Sequence, residues 1–182
     1  SFKISIDLSE PLPDSWVGKV GFNLELFPGH LFGKTFLMDD KSGIFPEQAN
    51  GPIIFDQDQY ISVPLASGKL LTIVPENDMQ RIQIKSDGQL DLYDGRSNHN
   101  NGWFIVRELL PANKTRNALE WIITPNVVSD WKYEPVIHIS QVGYHPDQPK
   151  RAVIETDKTI DRIGEIQLLK LTSKGKQLVK SI

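Results

Sequence analysis

The segment VGFNLELFPG, residues 20–29, alternates apolar side chains with polar or small ones. Successive side chains of a β-strand point to opposite faces, so this period of two indicates a strand with one buried face. Pro28 and Gly29 then end the strand. The apolar residues on its predicted inner face are Val20, Phe22, Leu24 and Leu26.

Short apolar segments of the same kind recur along the chain, each bounded by Pro, Gly or Asn, and helix signals are poor throughout. We expect Ser67 and Gly68 to form the turn between the first two of these segments. With 12 prolines and 13 glycines, the pattern predicts an all-β protein built as a β-sandwich. The predicted strands cover residues 61–65, 70–74, 102–109, 119–124, 136–140 and 151–156.

Residues 79–95, MQRIQIKSDGQLDLYDG, give the sharpest local signal. A three-residue loop of Ser86, Asp87 and Gly88 would pair Ile84 with Leu90 and keep the apolar residues on one face. Gly88 would then take the left-handed conformation that such a loop requires. The sequence therefore predicts a hairpin centred on this loop.

Composition excludes several functional classes. The chain has 20 basic and 23 acidic residues, a net charge of -3 and no run of Lys or Arg, so we expect no nucleic-acid partner. No apolar run approaches the roughly 20 residues that a membrane-spanning helix needs, so we expect no membrane span. The absence of cysteine excludes disulfides and thiol catalysis.

We expect neither a metal nor a cofactor. Two groups of acidic residues could offer oxygen ligands to calcium, but their spacing matches no calcium loop, and the four histidines lack metal-ligand spacing. Adjacent Asp39 and Asp40 are interpreted as a turn. The two acidic groups are Asp56 with Asp58, and Asp87 with Asp91 and Asp94.

The loop DLYDGRSNHNNGW, residues 91–103, combines aromatic, amide and charged side chains. Aromatic faces cover the C–H side of a sugar ring, while amides and charged groups bind hydroxyls, so the loop is a candidate carbohydrate-binding site. The alternative is a solvated loop with Trp103 in the core. The candidate residues are Tyr93, Asp94, Arg96, Asn98, His99, Asn101 and Trp103.

The segment DWKYEP, residues 130–135, separates two groups of strands, so we place a domain boundary near Glu134. Residues 1–134 would form an N-terminal β-sandwich and residues 135–182 a second domain. Trp121 and Trp131 are interpreted as packing residues rather than sugar platforms.

The second domain begins with VIHISQVGYHPDQPKRAVIE, residues 136–155. This stretch resembles the start of the immunoglobulin-like domain that precedes the catalytic barrel of family 9, cellulase-type glycoside hydrolases, although Ser140 replaces the usual Asn. The motif is structural, because Gly143 permits a corner and Tyr144 offers a ring with a hydroxyl. The matching residues are Gln141, Val142, Gly143, Tyr144, Pro146 and Lys150.

The resemblance implies an incomplete immunoglobulin-like β-sandwich over residues 135–182, since the complete fold needs about 100 residues. It also implies a secreted or periplasmic parent enzyme that degrades β-linked polysaccharides. The catalytic domain would be the partner of this region in the same polypeptide, and its inverting carboxylates would lie outside residues 1–182.

Three functional hypotheses follow. The first is a non-catalytic N-terminal region that braces or targets the catalytic domain. The second is a carbohydrate-binding module that recognises β-glucan-type polysaccharide through residues 1–134. The third is a small β-fold hydrolase that uses Asp and His residues.

Overall fold

A computed structural model describes residues 1–49, 51–98 and 102–182 of the chain. Strands dominate, no α-helix occurs in the described residues, and every strand pair among them is antiparallel. The prediction of an all-β protein is therefore confirmed. The chain divides into two compact units, Ser1–Val128 and Ser129–Ile182, whereas the sequence alone placed a boundary near Glu134.

The first unit contains ten strands among its described residues, joined by loops and three short 3₁₀ turns. The predicted strands at residues 20–26, 102–109 and 119–124 correspond to β2, β9 and β10. The 3₁₀ turns are Asp14–Trp16, Pro28–His30 and Gly95–Asn98. The strands are β1 Phe2–Ile6, β2 Gly21–Leu26, β3 Thr35–Met38, β4 Lys41–Ile44, β5 Ile53–Asp56, β6 Gln59–Ser62, β7 Ala66–Ile73, β8 Ile82–Asp94, β9 Phe104–Leu109 and β10 Leu119–Pro125.

Strand β8 joins the two layers of the first unit. One of its edges pairs with β7, while its other edge pairs with β10 through residues 82–86 and with β9 through residues 91–94. One layer therefore has the order β1-β10-β8-β7-β3-β4, and β9 and β2 extend the other layer from the second half of β8. Phe22 of β2 packs edge-on against Trp121 of β10, with ring centroids 5.0 Å apart, so the two layers face each other as a sandwich.

The core lies between these layers. Phe104 and Val106 of β9 belong to this core, and Ile105 between them is also fully buried. Trp121 is fully buried, as its interpretation as a packing residue requires. The burial of such aliphatic and aromatic side chains is the main favourable term in folding. The largest fully buried side chains include Met38, Phe45, Leu71, Ile84, Leu90, Leu92, Phe104, Leu119, Trp121 and Ile123.

The predicted hairpin at Ser86, Asp87 and Gly88 is wrong, because β8 continues without a turn from Ile82 to Asp94. The ladder with β7 shifts here, since Gly68 pairs with Leu90 whereas Leu70 pairs with Lys85. Gly88 does not have a positive φ. A Cβ atom at Gly88 would instead overlap Oε1 of Glu108, so the close approach of this side chain to β8, and not a turn, requires glycine here.

The predicted turn at Ser67 and Gly68 is also wrong, since both residues lie within β7. A Cβ atom at Gly68 would overlap Oδ2 of Asp39, whose carboxylate accepts the backbone N–H of Leu70 at 2.9 Å. Asp39 and Asp40 form the two-residue connection between β3 and β4, as predicted, and Asp39 has a φ of 53°.

Strands β5 and β6 form a separate two-stranded sheet. Its turn residues Gln57 and Asp58 both have positive φ, the backbone conformation of a type I′ hairpin turn. Phe55 and Tyr60 pair across the strands with ring centroids 5.1 Å apart and are 63% and 81% exposed. The hairpin thus presents two exposed aromatic rings.

The second unit consists of two antiparallel hairpins. Its strands are β11 Val136–His138, β12 Val153–Glu155, β13 Gln167–Thr172 and β14 Gly175–Ser181. The first hairpin corresponds to the predicted strands at residues 136–140 and 151–156. Among the described residues of the whole chain, no helix is long and apolar enough to span a membrane.

Candidate functional site

Asp94 and Arg96, two of the predicted carbohydrate-binding residues, form an ion pair. Nε and one terminal nitrogen of Arg96 donate to the two oxygens of Asp94 at 2.8 and 2.9 Å. The Asp94 side chain is fully buried, and that of Arg96 is 14% exposed. Such a two-point contact holds both side chains in one orientation.

Arg96 also anchors a distant loop. Its guanidinium donates to the carbonyl oxygens of Pro46, Glu47 and Gln48 at distances between 2.7 and 3.1 Å. The same group lies about 5 Å from the ring centroids of Phe32 and Phe104. The donors of Arg96 are thus engaged within the protein, and the pair with Asp94 stabilises the loop at residues 46–48.

Tyr93 lies on the opposite face of β8 from Asp94, because neighbouring strand residues alternate. The guanidinium of Arg107 lies 5.2 Å from the centroid of its ring. Partial burial raises the pKa of the Tyr93 hydroxyl, and the negative charge of Asp91 raises it further, while Arg107 opposes the shift. The structure therefore separates Tyr93 from the buried pair.

A polar row crosses the outer face beside Tyr93. Asp91 of β8, Arg107 of β9 and Asn23 of β2 are cross-strand neighbours in register. Arg107 Nε donates to Asn23 Oδ1 at 2.9 Å, and the hydroxyl of Ser67 donates to Asp91 Oδ1 at 2.6 Å. This row is an ordered set of donors and acceptors on the surface of the sheet.

Trp103 immediately precedes β9 and contacts Phe27, which immediately follows β2. Their ring centroids are 5.5 Å apart with an edge-to-face orientation, and Phe27 is 55% exposed. A cavity of about 380 Å³ is lined by Phe27 together with the polar Glu25, His30 and Gln80 and the apolar Leu26, Leu31, Ile73 and Ile82. Aromatic and hydrogen-bonding groups therefore lie together at this end of the sheet.

Three predicted carbohydrate-binding residues remain, namely Asn98, His99 and Asn101. Asn98 ends the 3₁₀ turn Gly95–Asn98, and His99 and Asn101 lie outside the described residues. Sequence analysis missed Asn23, Phe27 and Arg107. The alternation of β2 and β9 would have placed Asn23 and Arg107 on an outer face, but the contact of Phe27 with Trp103 depends on long-range pairing.

Sequence analysis also missed Glu108, a buried acid that lies 6% exposed on the inner face of β9. Its Oε2 accepts the indole N–H of Trp121 at 2.6 Å. The carboxylate borders a cavity of about 400 Å³ that is also lined by Gln89, Asp91 and Lys114. The signal was available, because Glu108 continues the inward positions of Phe104 and Val106.

In the second unit, the motif with Gln141, Gly143, Tyr144, Pro146 and Lys150 builds the loop between β11 and β12. Gly143 has a φ of +84°, which glycine adopts without strain. The Tyr144 hydroxyl accepts the N–H of Ser140 at 3.1 Å and donates to the carbonyl of Arg151. These contacts close the loop across its base.

Lys150 reaches back over the same loop, where its amine donates to the carbonyl oxygens of His145 and Pro146. At the strand pair below, His138 Nε2 lies 2.8 Å from Glu155 Oε2, and both side chains are more than half exposed. Over residues 1–49, 51–98 and 102–182, no three or more Asp, Glu and His side chains are grouped as metal ligands would be.

In comparisons with known proteins, no protein-family model, curated protein or solved structure matches the chain.

Proposed function

We propose that this chain is the non-catalytic N-terminal region of a secreted or periplasmic glycoside hydrolase that degrades polysaccharide. In this role it braces or targets a catalytic domain of the same polypeptide. The observation that carries the proposal is the loop with Gln141, Gly143, Tyr144, Pro146 and Lys150, whose sequence resembles the start of the domain that precedes family 9 catalytic barrels.

The internal contacts of this loop support a structural role. Tyr144 and Lys150 direct their polar groups to the loop's own backbone. In the first unit, the two buried acids Asp94 and Glu108 are likewise held by Arg96 and Trp121. These polar groups thus serve to fix the fold.

The second candidate function is that of a carbohydrate-binding module for β-glucan-type polysaccharide. The exposed ring of Phe27, held against Trp103 four residues along β9 from Arg107 and its polar row, favours it. An aromatic ring covers the apolar side of a pyranose, and nearby polar groups bind hydroxyls.

Affinity electrophoresis of residues 1–182 through gels that contain β-glucan, xyloglucan, xylan or mannan tests both functions. Reducing-sugar release is measured on the same polymers. Retardation without sugar release is expected for a targeting region. Release of sugar from any polymer contradicts the non-catalytic assignment. If no polymer retards the chain, targeting is excluded and bracing of the catalytic domain is the role that is left.

A further inference from the structure

We infer that an extended, uncharged polysaccharide binds along the outer face of β2, β8 and β9. The surface, which we call the outer stripe, consists of Asn23, Phe27, Asp91, Tyr93, Trp103 and Arg107. This inference rests on the carbohydrate-binding function proposed above and specifies its site and its ligand class.

Strand register aligns the polar end of the outer stripe. Asp91, Arg107 and Asn23 occupy one row across three strands, and the bond from Arg107 Nε to Asn23 Oδ1 fixes two of these side chains. In the next row of the same face, the partly exposed Tyr93 pairs with Ile105, whose side chain is fully buried. Ordered donors and acceptors of this kind bind ligand hydroxyls at a lower entropic cost than mobile side chains do.

The aromatic end continues the outer stripe where the ladder of β2 and β9 stops. The last pair of that ladder is Leu26 with Phe104, and Phe27 and Trp103 are the residues just beyond it. From Arg107 to Trp103 the strand advances four residues, which corresponds to about 13 Å. An elongated surface with aromatic and polar ends suits an extended chain of sugar rings better than a small ion.

The charges on this face favour an uncharged chain. Arg107 is opposed by Asp91 in its own row, and Glu25 lies in the next row opposite Ile105. The six residues of the outer stripe therefore carry no net charge and offer a polyanion no surplus positive charge. Neutral glucans, xylans or mannans suit a surface without net charge, whereas a polyuronate would gain no electrostatic attraction from it.

The test measures the mobility of the 182-residue chain in gels with the four neutral polymers or with polygalacturonate. Phe27→Ala, Tyr93→Ala and Asn23→Ala alter the outer stripe, and Phe55→Ala and Tyr60→Ala are matched controls at exposed aromatic residues of the β5–β6 hairpin. We expect at least one neutral polymer to retard the unaltered chain. Each aromatic change in the outer stripe should weaken that affinity about tenfold, as the loss of one aromatic contact predicts.

Thermal unfolding of every variant separates a lost contact from a lost fold. Asn23 is exposed on β2, so Asn23→Ala should keep the fold while weakening binding. If the three outer-stripe variants are retarded as strongly as the unaltered chain, the outer stripe is not the binding site. The same conclusion follows if Phe55→Ala or Tyr60→Ala abolishes retardation. Either result overturns the site but leaves the binding function. Stronger retardation by polygalacturonate overturns the ligand class, and an unaltered chain that no polymer retards overturns both the site and the binding function.

Discussion

The indole nitrogen of Trp121 donates a hydrogen bond of 2.6 Å to the buried carboxylate of Glu108, and this bond links the two layers of the sandwich. Trp121 belongs to β10 and Glu108 to β9, which pair with different halves of β8. A buried carboxylate requires such a donor, because its transfer from water without one is costly. The packing of the two layers therefore depends on this single buried hydrogen bond.

Trp121→Phe should destabilise the first unit by about 2–4 kcal/mol, because it leaves the Glu108 carboxylate without its donor and creates a cavity. Glu108→Gln keeps an acceptor oxygen and should cost about 1 kcal/mol. Urea unfolding of both variants and of the double variant measures the coupling between them. Strictly additive effects would show that the charge of the Glu108 carboxylate adds nothing to the strength of this bond.

Gly88→Ala should destabilise the first unit by about 1–3 kcal/mol, since the new methyl group would overlap the Glu108 carboxylate. Gly164→Ala is the control, because no atom lies within 4 Å of the added Cβ there. Urea unfolding of Gly88→Ala in a Glu108→Ala background tests the cause. A cost of Gly88→Ala that stays the same in that background would contradict the proposed overlap.

The contrast between β2 and β8 shows which parts of the fold local sequence can predict. The residues of β2 alternate between exposed and partly buried, so a period of two located the strand correctly. In β8, Asp87 and Gly88 have the residue types of a turn, but the approach of Glu108 from β9 explains the glycine. Local turn chemistry cannot distinguish the two cases, because the deciding neighbour lies 20 positions away in the sequence.

The candidate site shows the same limit. Sequence analysis grouped Tyr93, Asp94 and Arg96 because they are adjacent in one loop-like segment. In the structure, strand alternation turns Tyr93 outward and Asp94 inward, where Arg96 neutralises it. Phe27 joins Trp103 only because β2 pairs with β9, a long-range contact that no local pattern contains.

Arg96→Ala should destabilise the first unit by about 3–5 kcal/mol, because it leaves the buried Asp94 unpaired. It should also speed proteolysis at residues 46–48, whose carbonyls Arg96 holds. Arg116→Ala is the control, since its side chain is 88% exposed and its pair with Asp7 is a surface contact worth at most about 1 kcal/mol. Equal losses in the two variants would refute the anchoring role of Arg96.

The raised pKa of Tyr93 predicts a loss of stability at alkaline pH. Below the ordinary tyrosine pKa of 10.0, the hydroxyl is protonated in both the folded and unfolded states and the full stability is retained. Above it, the unfolded state ionises first and is favoured, so stability falls until the folded-state pKa is passed. Urea midpoints between pH 8 and about pH 11 should therefore decline less steeply for Tyr93→Phe than for the unaltered chain. Tyr60 is 81% exposed, so Tyr60→Phe should leave the decline of the urea midpoint with pH as steep as in the unaltered chain. If the midpoint of Tyr93→Phe declined equally steeply, Tyr93 would not be the cause of the alkaline loss of stability.

Tyr144→Phe should open the loop between β11 and β12, because it removes the hydroxyl that joins Ser140 to Arg151. The loss of a hydrogen bond worth about 1 kcal/mol corresponds to roughly fivefold faster hydrogen exchange at the Ser140 amide. NMR-detected exchange measures this rate, and the Lys174 amide, which donates to Thr172 Oγ1 in the other hairpin, serves as the internal reference. Faster exchange at both amides would indicate general loosening of the second unit, whereas an unchanged Ser140 rate would show that the hydroxyl does not hold the loop closed.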